Sequence, residues 1–199
     1  MSYLRIFNFM LTPMESYTIT RNCSVCGCKS DYINTNNFRI NANGNLIDVW
    51  LIYQCNKCKH TYNLTIFERM KAKNLSPELY SRFMENDKEL ALKYGTDKSF
   101  MLSNKADINW NDIRYQIWDT ETQKPIENTI AFQPGDLIQL SNPYGLKFRT
   151  DKILADILHL SRQQVKRLEK TGDVEIMKKH PSPDIDIILR GEISFQQTG

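Results

Sequence analysis

Apolar and polar positions change their spacing several times along the chain, and each change predicts a new element. The run Ile6-Phe7-Asn8-Phe9-Met10-Leu11 is short and interrupted by a polar residue, which fits a first strand or a floppy leader better than a secretory signal peptide. Phe38-Arg39-Ile40 and residues 46–53 flank Asn43-Gly44, a pair suited to the positive-φ turn of a hairpin. Within that hairpin Val49-Trp50-Leu51-Ile52-Tyr53 is apolar on both faces, so something must cover it. The nearest cover is residues 76–95, which read as two short helices. Ser76 caps the first, with Pro77 at the first helical position, and Leu79, Tyr80 and Phe83 share a face. Asn86 reads as the cap of the second, with Glu89 as capping-box partner and Gly95 as its stop. Farther on, Ile113, Tyr115 and Ile117 alternate with polar residues, and Phe132-Gln133-Pro134-Gly135-Asp136 turns into a strand over 137–140.

The period becomes helical again after Asn142-Pro143-Tyr144-Gly145, a turn signal. Ile153, Leu154, Ile157 and Leu158 form one apolar stripe. Ser161 can cap a following helix whose inward residues are Val165 and Leu168. Gly172 ends that helix, and Val174-Glu175-Ile176 begins a strand. Closing strands are expected over 186–189 and 193–195. The expected division is therefore an N-terminal unit over 1–141 and a small C-terminal module over 142–199, in the α+β class.

Composition narrows the function classes. Apolar residues are 41% and charged residues 25% of 199, enough for a real core. The net charge of +3 does not by itself call for a nucleic acid or a membrane. No run of eighteen apolar residues occurs, so no membrane partner is expected. A cytoplasmic location is expected. The odd number of cysteines, five, all between residues 23 and 58, fits a reducing compartment better than a disulfide scaffold.

Those cysteines carry the clearest chemistry. Cys23-Ser24-Val25-Cys26 and Cys55-Asn56-Lys57-Cys58 are two Cys-x-x-Cys pairs, and the hairpin signals between them supply a return path. Two such loops facing each other complete a tetrahedron of soft ligands, the pattern of a zinc ribbon. The expected cofactor is structural Zn²⁺ on Cys23, Cys26, Cys55 and Cys58. Four thiolates fill the coordination sphere, so no position remains for a reacting water. Cys28 is left over, either as an alternative to Cys26 or as a small buried thiol. His60 is a further alternative ligand.

Charge is concentrated in one place. Residues 145–179 hold nine Lys or Arg against five Asp or Glu. Arg162, Lys166 and Lys170 recur every four residues and so share a helical face, with Arg167 at its edge. Such a row can meet successive phosphates of an RNA backbone.

Residues 149–155, Leu160-Ser161-Arg162, Leu168, Gly172 and Val174 resemble the RNA-binding domain of small-ribosomal-subunit protein four over about thirty residues. That resemblance implies RNA contacts for Arg149, Lys152, Arg162, Lys166 and Lys170. The chain departs from it after Ile176, where Met177-Lys178-Lys179-His180-Pro181 replaces the usual turn. The chain as a whole also resembles an uncharacterised bacterial family of unknown function. The resemblance rests on residues 23–28, 38–44, 48–53 and 62–66, with Arg69 and Asn86-Asp87, and it implies no activity.

The sequence-based expectation is a non-enzymatic RNA-binding or ribosome-associated accessory protein with a structural zinc ribbon. The alternative is a structural or protein-interaction adaptor without nucleic-acid affinity. No Ser-His-Asp grouping and no glycine-rich phosphate loop ahead of a helix is legible.

Overall fold

A computed structural model describes residues 5–126, 129–179 and 182–193. The fold is α+β, in two compact units. One comprises Pro13–Arg114. The other joins Met1–Thr12 to Tyr115–Gly199.

The 13–114 unit is a five-stranded sheet whose ladders are antiparallel. Its strands are β2 (Ile19–Cys23), β3 (Cys28–Asn43), β4 (Leu46–Cys55), β5 (Thr61–Lys71) and β6 (Asp107–Ile108), in the order β5-β4-β3-β2-β6. The β3–β4 hairpin turns at Gly44, φ +62°, as the Asn-Gly signal implies. The register of β3 slips between Asn34 and Asn37, where Asn36 adopts a positive φ. The Thr35 hydroxyl there donates to the Ile52 carbonyl at 2.8 Å.

Three short helices follow: α1 (Pro77–Met84), α2 (Lys88–Gly95) and α3 (Lys98–Ser103). Of these, α1 and α2 cover the Ile47 and Val49 face of β4. Ile47, Val49, Leu75, Phe83 and Leu90 form one buried cluster. Ser76 caps α1 as expected, accepting from the Leu79 N–H. The cap of α2 is Asp87, which accepts from the Leu90 N–H at 2.8 Å, and not Asn86. Asn86 sits at φ +54°, and its side-chain oxygen accepts from the Phe38 N–H. Asp87 won because a carboxylate there meets both the helix dipole and Arg82, 2.8 Å away. Gly95 ends α2 against the Ser16 side chain, where a Cβ would overlap it.

The other unit holds a six-stranded sheet in the order β10-β11-β9-β1-β7-β8. Its strands are β1 (Ile6–Pro13, whose last residue falls in the other unit), β7 (Tyr115–Asp119), β8 (Lys124–Pro125), β9 (Leu137–Ser141), β10 (Val174–Lys178) and β11 (Ile185–Leu189). Helices α4 (Thr150–Leu158) and α5 (Arg162–Thr171) lie between β9 and β10 in sequence. β1 and β9 run parallel, in register from Ile6 opposite Leu137. Arg5 secures the start of this pair, its guanidinium donating to both oxygens of fully buried Asp136 at 3.0 and 2.6 Å.

The expected division at 141/142 does not coincide with these units. β9, expected in the N-terminal unit, is central to the C-terminal sheet, because β1 pairs with it on one side and β11 on the other. Pairing across more than a hundred residues leaves no local mark in a sequence. The apolar stripe of α4 is buried, Ser161 and Gln164 form a capping box, and Gly172 closes α5 at φ +83°. Of the two closing strands expected, β11 is present; the one over 193–195 extends beyond the described residues.

Candidate metal centre

The four cysteines of the two Cys-x-x-Cys pairs converge. Cys23 ends β2 and Cys55 ends β4, so both turns lie at the same end of the 13–114 sheet. Tyr32 of β3 is the register partner of Cys55, which brings the β2–β3 turn alongside the β4–β5 turn. The two loops are built alike. Gly27 and Lys59 each follow the second cysteine of their pair and each adopt a positive φ. In both, the residue after the pair donates its N–H to the carbonyl of the first cysteine: Gly27 to Cys23 at 2.9 Å, Lys59 to Cys55 at 3.1 Å. That closure turns both sulfurs of each loop inward.

The sulfurs of Cys23, Cys26, Cys55 and Cys58 all lie within 4.8 Å of one another. Across the loops, Cys23 and Cys58 are 3.4 Å apart and Cys26 and Cys55 are 3.9 Å apart. A tetrahedron with metal–sulfur bonds of about 2.3 Å has edges of about 3.8 Å, so the cluster is at coordination size. Cys23 and Cys55 are buried, and Cys26 and Cys58 are half-buried. Backbone N–H groups aim at the sulfurs, including Cys26 N–H toward Cys23 at 3.5 Å.

The electrostatics fit a cation. The Tyr32 hydroxyl, together with the Cys26 N–H, pulls the Cys23 thiol down to about 6. Its neighbours Cys58, Cys23 and Cys55, together with burial, push Cys26 up to about 12. Four sulfurs this close cannot all carry negative charge without a positive ion among them. The donor set, four thiolates at tetrahedral spacing, suits Zn²⁺ and also matches iron.

The surplus residues stand outside the cluster. Cys28 is exposed rather than buried. Its sulfur lies 3.7 Å from the Ser30 hydroxyl and 3.8 Å from the Lys57 ammonium. It follows the turn glycine and so begins β3 on the outward side. His60 is exposed and lies 3.3 Å from the Ser24 hydroxyl. Tyr32 is the neighbour that sequence reasoning missed: strand register sets it opposite Cys55, and its hydroxyl reaches the Cys23 sulfur. Asp48 is also accounted for: it accepts from the Arg69 N–H at 2.7 Å and fills an irregularity in the β4–β5 ladder.

The basic residues of the other unit are arranged differently from a free row. Asp151, in the first turn of α4 and 8% exposed, gathers three of them. Arg162 donates to one carboxylate oxygen at 3.1 and 2.9 Å, Arg149 reaches both oxygens at 3.3 Å, and the Lys166 ammonium is 3.8 Å away. Hydrogen bonds from Arg162 and Arg149 hold the Asp151 carboxyl below its usual range. Lys152 lies over the Tyr115 ring at 5.1 Å, and Arg167 and Lys170 are exposed on α5. The spacing of Arg162 and Lys166 was legible, whereas the carboxylate eleven residues before Arg162 was not. Its role depends on how α4 folds back on α5.

Comparison with protein families matches residues 40–180 to "Protein of unknown function (DUF1062)". The chain belongs to that family. The match spans parts of both units and includes Cys55 and Cys58, while Cys23 and Cys26 precede it. Neither the curated proteins nor the solved structures yield a match. Among the described residues no helix is long and apolar enough to cross a membrane.

Proposed function

We propose that this DUF1062 protein is a non-catalytic structural or protein-interaction adaptor whose 13–114 unit is clamped by a structural zinc ion. The observation that carries the reading is the closed four-sulfur cluster. All four corners of the tetrahedron are protein ligands, so a bound metal keeps no position for substrate or water and serves to hold two hairpin ends together. Zinc here stabilises a surface, and Val25, 65% exposed within the first cysteine loop, belongs to that surface. The convergence of Arg149, Arg162 and Lys166 on Asp151 supports the adaptor over a nucleic-acid binder, since it gathers these cations around one point instead of spacing them along successive phosphates.

RNA binding or ribosome association is the second reading. It is favoured by the surplus at Asp151, three cations to one carboxylate, with Lys152, Arg167 and Lys170 exposed nearby. One pair of measurements separates the readings. Elemental analysis of protein purified without chelator is expected to give one zinc per chain. Titration with a structured RNA at rising salt is expected to show no affinity beyond the nonspecific level. A steep linear loss of log affinity with log salt, reduced in Lys166→Ala/Lys170→Ala, would replace the adaptor with the RNA reading.

A further inference from the structure

We propose that the groove along the free edge of β10 takes an extended, acidic peptide segment of a partner protein as an added strand. The inference rests on the adaptor reading and names its partner surface.

The backbone comes first. β10 ends the six-stranded sheet and pairs, among the described residues, only with β11, from Val174 opposite Leu189 to Lys178 opposite Ile185. Bonds at its two ends go to the same side: Arg190 and Gly191 donate to the Asp173 carbonyl, and Lys179 donates to the Asp184 carbonyl. In such a ladder alternate residues of an edge strand turn N–H and C=O away from the partner, ready for another strand.

The space comes second. A cavity of about 1040 Å³ lies beside β10. Val174, Ile176 and Lys178 line its β10 side, Lys166 and Glu169 of α5 the opposite side, and Phe148 the entry to α4. A second cavity of about 540 Å³ shares Phe148 and Lys178, so the trough continues past the end of the strand. A five-residue strand spans roughly 17 Å, which is the stretch of edge available here. A strand edge facing a helix across a trough is the geometry in which main-chain bonds give affinity and alternate side-chain pockets give selectivity. Half-buried Ile176 and Phe148 offer one such pocket an apolar wall.

The charges choose the occupant. At the Lys178 end stand Lys178, Arg149 and Lys166, with Asp151 already shared among Arg149, Arg162 and Lys166. At the Val174 end stand Glu169 and Glu175, the latter paired with Arg190 at 2.7 Å. The trough is polarised along its length. A nucleic acid, with a negative charge at every step, would meet carboxylates at one end. A peptide with an acidic residue near Lys178 and an apolar side chain over Ile176 matches both ends.

The test uses the full chain, zinc-loaded. A displayed library of random peptides of about eight residues is selected against it, and the selected peptide is synthesised. The expected result is enrichment of sequences with Asp or Glu at one end and alternating apolar positions. Binding should fall at least tenfold in Lys178→Glu and in Lys166→Glu, and amide exchange at residues 174–178 should slow in the complex. Two variants on different elements guard against a local folding defect in either. Selected peptides that bind both variants undiminished and leave the 174–178 amides unchanged overturn the groove, while the adaptor reading survives at another surface. An absence of enrichment, with a structured RNA slowing exchange at the same amides, overturns the groove and the adaptor together.

Discussion

The two units tie neighbouring elements together, two hairpin ends in one and α4 with α5 in the other, with opposite electrostatics. In the 13–114 unit, four sulfurs are brought to coordination distance and can hold a cation from outside the chain. In the other unit, one buried carboxylate gathers Arg149, Arg162 and Lys166, so the balancing charge comes from the chain itself. The difference teaches where stability is conditional. A site that borrows its cation fails when the metal is removed. A site that carries its own responds instead to pH and to loss of the single anion.

The largest expected effect is removal of the metal. Chelation, or Cys23→Ser/Cys26→Ser, should abolish amide protection in β2 to β5, because structural zinc supplies folding free energy outright. Protection in α4, α5 and β11 should persist. Equal loss in both units, read by hydrogen exchange, would break the contrast. Next, Leu51→Ala empties a fully buried position in β4 and should cost about 2–5 kcal/mol by denaturant unfolding of the zinc-loaded protein. A much smaller loss would mean that the metal alone carries the unit.

Asp151→Asn comes third and should act on the other unit. It leaves three cations facing one another, so protection should fall in α4 and α5 with zinc content unchanged. The same carboxylate sets an acid dependence. Its folded pKa lies below the unfolded value near 4, so its contribution is full above that pH and is lost as pH falls through the folded value. Asp151→Asn should flatten that part of the acid unfolding profile. Asp87, held at about 2 by Arg82 and the Leu90 N–H, is the counterpart in the 13–114 unit. Its acid-sensitive window, from about 4 down to 2, should be unaltered by Asp151→Asn. The smallest effect is Ser161→Ala, which removes a capping box from α5 and should cost about 1 kcal/mol in the same unit.

Local chemistry was legible throughout. Two Cys-x-x-Cys pairs, the Asn43-Gly44 turn, the Ser76 and Ser161 caps and the α4 stripe each depend on residues within a few positions, and each has its expected place in the structure. The errors are where a choice between neighbours turned on distant groups. Asp87 displaced Asn86 as a cap because Arg82 and Phe38 claim them differently. Cys28 is exposed because the strand begins at that residue with its side chain outward.

The sequence by itself determined the element types, the metal-ligand chemistry and the concentration of positive charge, because periodicity, turn preference and ligand spacing are short-range properties. Only the tertiary structure decided that β1 belongs with β9, that Tyr32 meets Cys23, and that Asp151 gathers Arg149, Arg162 and Lys166. Strand pairing and charge pairing across long separations are set by which buried surfaces fit together, and hydrophobic burial has no direction along the chain.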